Sequence, residues 1–260
     1  MRYCNHSHWL SLSVRGNDTI LLETDRLQAL TNEMPNPDKQ YPSLFVFVGN
    51  SAKPRALQAL GAVKQVRTFN GRRSHGEINL QLDPSSVFQN RTTLLADGDL
   101  AERSLRGKIF PVENCHETVK RALPRIREGV PGLPLDSVAD KLYSRLLYHF
   151  ADVFCFFSTD LGGFRPITRH LAAWLENGEA STLPKSTHLR VIIVSDSISP
   201  EAGKEKQARE VFLSMLREET TKDLFEYFSA VDVVALLPED QMSTQARHRR
   251  LKEHLMSVSD

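Results

Sequence analysis

YPSLFVFVGNSAKPRALQAL, residues 41–60, holds a short unbroken apolar run, then a glycine, then a stretch of helix formers. Residues 44–48 have the composition of a strand buried on both faces. Gly49 breaks the run, and Pro54 is predicted to open a helix after a five-residue loop. Strand, glycine loop and helix match the spacing of a phosphate-binding loop, G-x-x-x-x-G-K-[ST]. The chemistry differs from that pattern. Pro54, Arg55 and Ala56 stand where the second Gly, the Lys and the Ser/Thr would be. Such a loop aims backbone N–H groups at an anion, and Pro54 has none to give. Arg55 keeps a positive charge in a different shape, and Ala56 offers Mg²⁺ no hydroxyl.

Working outward, residues 1–40 read as an N-terminal lead-in and residues 41–260 as one domain. Residues 9–14 and 19–22 are predicted as short strands around Gly16-Asn17-Asp18, with a linker at residues 34–38. Cys4, His6 and His8 lack a second ligand cluster at metal spacing. NGRRSHG at residues 70–76 reads as a solvated loop, and residues 77–82 and 92–96 as an antiparallel pair ending at Asp97. Residues 108–135 form a long excursion, with one helical turn predicted near residues 117–123. The next helix has Val138, Leu142, Leu146, Leu147 and Phe150 as its apolar stripe. ADVFCFF at 151–157, LRVIIV at 189–194 and VDVVALL at 231–237 are buried strands. They alternate with helices predicted at residues 166–176, 201–219 and 243–256. In the second of these, Ala208, Val211, Phe212, Met215 and Leu216 share one face.

Strands alternating with helices predict an α/β, doubly wound, mainly parallel sheet of about six strands. One antiparallel hairpin behind the first strand gives it the small-GTPase version of the P-loop NTPase architecture. Ligands of such sheets bind at the carboxyl ends of strands, here Gly49, Asp97, residues 158–160 and Ser195-Asp196.

YPSLFVFVG, LLADGDL (94–100), LLYHFADVFCFF (146–157), AAWL (172–175) and TLPKSTHLRVIIV (182–194) together resemble a group of fungal proteins. In that group a GTPase-like P-loop domain accompanies a patatin-like phospholipase domain. The resemblance runs from about Tyr41 to the C-terminus. It implies a GTP and Mg²⁺ site at Gly49, Lys53, Arg55 and Asp97, with Asp97 on the metal side. Leu100 replaces the glycine of the D-x-x-G segment, and Ser195-Asp196-Ser197 departs from N-K-x-D. No G-x-S-x-G occurs for lipid hydrolysis.

A net charge of +1 gives no bulk attraction to nucleic acid. Three distant cysteines point to a reducing compartment. No apolar run reaches the roughly 20 residues of a membrane span, and the N-terminus lacks a signal-peptide core. The expectation is a cytoplasmic protein with no membrane span and no nucleic-acid partner, open to a protein partner. Gly162-Gly163 reads as a chain reversal, Gly203-Lys204 as a helix opening, and Arg247 to Arg250 as a solvated face. Two functions are compatible with this reading. One is a pseudo-GTPase that serves as an interaction or regulatory module with weak or no nucleotide binding. The other is a nucleotide hydrolase using Arg55 for phosphate and Asp97 for metal.

Overall fold

The computed structural model describes residues 7–15, 18–61, 76–100, 117–123, 135–178, 182–201, 203–238 and 243–259. The strands among them are β1 (His8–Arg15), β2 (Asp18–Thr24), β3 (Ser43–Val48), β4 (Ile78–Leu82), β5 (Thr93–Gly98), β6 (Thr118–Ala122), β7 (Val153–Phe157), β8 (Leu189–Ser195) and β9 (Phe228–Ala235). Helices among the described residues are α1 (Arg26–Glu33), α2 (Ala52–Ala59), α3 (Leu135–Lys141), α4 (Phe164–Asn177), α5 (Lys204–Glu219), α6 (Thr244–Arg247) and α7 (Arg249–Ser259). Residues 70–75 of the NGRRSHG loop and most of the 108–135 excursion lie outside the described residues.

One sheet contains all nine of these strands, in the order β6-β2-β1-β4-β5-β3-β7-β8-β9. Neighbours from β5 through β9 pair parallel, and those from β6 through β5 pair antiparallel. The expected fold, a mainly parallel six-stranded sheet of P-loop NTPase architecture, is therefore incorrect. The sheet is mixed and half as wide again. The β1–β2 hairpin docks on β4, and β6 adds to β2, continuing the sheet in antiparallel sense. β6 takes the place of the helical turn predicted near residues 117–123. Its sequence TVKRA is exposed at four of five positions, so it carries no burial signature.

The central apolar run behaves as its composition dictates. Every residue of β3 is buried, and it lies between β5 and β7. Phe45 and Phe47 pack on one side with Ala56, Leu57, Leu251 and Leu255, from α2 and α7. Leu44, Val46 and Val48 belong to the other core, with Leu30, Leu171, Trp174, Phe212 and Leu216 from α1, α4 and α5. Burying a side chain of this size stabilises by about 1.5–3 kcal/mol, so one strand anchors both layers. Cys155 sits in the first core, where burial pushes its thiol up and leaves it inert.

Two helical faces differ from the sequence reading. After α3 the chain widens into a π-helical turn (Leu142–Leu146), then a 3₁₀ turn (Leu147–His149). The wider turn rotates the residues after it, and Phe150 emerges 68% exposed instead of closing the apolar stripe. In α5, Val211 is 49% exposed, while Leu213 turns inward beside Phe212 and Leu216. No helix among the described residues is long and apolar enough to cross a membrane.

Candidate functional site

Parallel pairing brings the carboxyl ends of β3, β5, β7 and β8 to one rim, and α2 starts there. The helix begins at Ala52, two residues earlier than Pro54 predicts. Pro54 fits because the first N–H groups of a helix have no intrahelical acceptor. Those orphan donors, with the positive end of the helix dipole, form a ready anion site.

The protein itself supplies the anion. The Asp160 carboxylate, from the turn after β7, accepts from Asn50 N at 2.7 Å and from Ala52 N at 3.0 Å. Ser51 Oγ donates to it at 2.7 Å, and Lys53 N at 3.4 Å. Its turn is held by Asp160 N and Leu161 N, both donating to Phe157 O, and by Gly163 N donating to Ser158 O. Gly162 and Gly163 adopt φ of 82° and 101°, which glycine accepts without strain. The packing also explains Gly49. A Cβ there would lie 2.7 Å from Asp160 Oδ2 and 2.9 Å from Phe157 Cβ.

The charge is matched on the other side of the loop. Lys53 is fully buried, and its Nζ donates to the Asp97 carboxylate and to Gly98 O. Asp97, the expected metal-side residue, is thus engaged by an internal ammonium. Among the described residues no group of three or more His, Cys, Asp or Glu is placed to hold a metal ion. Gly49, Lys53 and Asp97 lie together at the rim, with Gly49 N and Lys53 Nζ both donating to Gly98 O. Arg55 does not join them: it lies on the exposed side of α2, with its charge near His248.

Beyond the loop, the strand ends are cross-tied. Thr159 Oγ1 donates to Asp196, and Arg247 reaches the same carboxylate at 3.5 Å. The 247–250 cluster is not the solvated face its charge predicts. Arg247 is 8% exposed, His248 is buried, and Arg250 pairs with Glu205 at 2.6 Å. Arg249 alone of the four stands in solvent, paired with Glu253 one turn on. His248 Nδ1–H donates to Thr244 O, and burial holds its imidazolium form below the usual range.

Asp160 is the residue whose role sequence reasoning misses. Its position at a strand end was legible, but its partners lie 110 residues away. No protein-family model matches the chain, and no curated protein matches it. A crystal structure of an SsGBP mutation variant is similar with a TM-score of 0.37 and 11% identity, over 90% of this chain and 59% of that one. The chain thus spans less than two thirds of that protein, and a likeness this slight carries no argument about ligand or activity.

Proposed function

We propose that this chain is an interaction or regulatory module, a pseudo-GTPase in the functional sense, with weak or no nucleotide binding. The observation that supports this reading is the Asp160 carboxylate seated on the donors of the loop after β3. A phosphate at the same donors would meet a fixed negative charge and would have to expel it. Lys53 likewise spends its charge on Asp97.

A protein partner is favoured by the opposite end of the sheet. Tyr41, Phe88 and Phe150 are 76%, 88% and 68% exposed, and each lies just before the amino end of β3, β5 or β7. Exposed aromatic side chains are over-represented where one protein meets another.

The test is isothermal titration of the chain with GTP or ATP and Mg²⁺. The expected dissociation constant exceeds about 0.1 mM, less than about 5.5 kcal/mol of binding free energy. Micromolar, Mg²⁺-dependent binding would overturn the reading and favour a nucleotide hydrolase.

A further inference from the structure

A second polar cluster lies away from that rim, between the widened turn and α4. Asp140, Lys141, Ser144 and Arg145 form one wall of a cleft of about 490 Å³, and His170, Ala173 and Asn177 form the other. The spacing accounts for both walls. Residues 140, 141, 144 and 145 are one helical turn apart in pairs, and 170, 173 and 177 recur at i, i+3 and i+7 on α4.

The histidine is held from behind. Asp140 Oδ1 accepts from His170 Nδ1 at 3.1 Å and from Trp174 Nε1 at 3.1 Å. Trp174 is itself buried and stacks on Tyr143. An imidazole whose Nδ1–H is given to a carboxylate is fixed in tautomer and orientation, which leaves Nε2 as its remaining polar atom. Lys141 and Arg145 have no acidic partner among the described residues, so the cleft is net positive even with His170 neutral. π-helical turns also tend to occur at functional sites.

We propose that this cleft binds a small phosphorylated compound through its phosphate group, with Lys141 and Arg145 on one wall and His170 Nε2 on the other. Arg145 supplies a planar fork suited to two phosphate oxygens, and Lys141 a point charge. Asp140 is a positioning residue: it orients His170 and does not itself meet the anion. The site is independent of the loop after β3, so its fate and that of the nucleotide reading are separable.

The probe is inorganic phosphate, then glycerol phosphate, titrated at constant ionic strength while the His170 ring signals are watched by NMR. His170→Gln identifies those signals. Saturable binding near about 1 mM is expected, weakened at least roughly tenfold in Arg145→Ala and in Lys141→Ala. Lys222→Ala, on an exposed lysine elsewhere, should leave it unchanged. Asp140→Asn should shift the His170 ring signals, because the ring loses its carboxylate partner, while the fold, read from the backbone spectrum, stays intact. Three results would each overturn the proposal: no saturation by phosphate or glycerol phosphate, equal affinity for acetate, or binding that survives both cleft variants.

Discussion

The loop after β3 and the cleft beside α4 gather the same kinds of charge to opposite ends. At the loop each charge has an answer within the chain: Asp160 for the helix donors, Lys53 for Asp97. At the cleft only the back of the site is answered. Asp140 holds His170 and Trp174, while Lys141 and Arg145 face a cavity. The sequence motif points to the first region, and the unspent chemistry lies in the second. A motif names where a site could be; the pairing of its charges says whether anything is left for a ligand.

The sharpest way to break this contrast is to remove one member of the buried pair. Asp97→Ala leaves Lys53 charged and without its carboxylate, and should cost about 3–5 kcal/mol in urea unfolding. Lys53→Met with Asp97→Leu should recover most of that loss, because two apolar groups of similar size often replace a buried pair at little cost. A loss below about 1 kcal/mol in the single variant would mean that Asp97 is not structurally committed and stays available to a metal.

Asp160→Ala should cost about 1–2 kcal/mol in the same measurement, the range for loss of a helix cap. It should also open the loop to anions. The parent chain should show no melting shift with millimolar inorganic phosphate. Asp160→Ala should show one, up to about 2.7 kcal/mol at 100 times the dissociation constant. A shift in the parent chain would show that Asp160 is no barrier.

His248 allows a smaller test by pH. Burial lowers its proton affinity in the folded state, with Arg247 and Arg55 nearby acting the same way. The unfolded chain takes up a proton near pH 6.5, while the folded chain does so only at lower pH. Stability should therefore fall as pH drops below about 6.5, by at most about 1.4 kcal/mol per pH unit from this group. His248→Gln should flatten that part of the profile.

The smallest effect is expected at the cleft. Lys141→Ala and Arg145→Ala should each change stability by less than about 0.5 kcal/mol, as substitutions away from structural pairs do. A larger loss would make these cations structural and bring the two regions back to one kind.

The legible parts of the fold are those whose burial leaves a compositional mark. SLFVFV, VFCFF and LRVIIVS are apolar along most of their length because helices cover both faces, and their central positions could be read directly. The antiparallel half was half legible. β1 and β2 alternate enough to be found, but their docking on β4 is a long-range choice with no local trace. β6 has neither apolar run nor alternation. At the rim, spacing pointed to Gly49 and Arg55 and the family resemblance to Asp97, but Arg55 lies on the exposed side of α2. Asp160, Asp140 and His170 act through partners on other elements, and nothing in their own neighbourhoods marks them.

Asp160 competes with any free anion for the loop donors. A tethered carboxylate is present at the loop donors at an effective concentration on the order of millimolar or more, whatever the surrounding solution contains. A free anion meets those donors only in the fraction of molecules whose turn has let go, and its apparent affinity falls by that fraction. The loop therefore has a built-in threshold. A free anion must first displace the tethered carboxylate before it meets the donors that Asp160 holds.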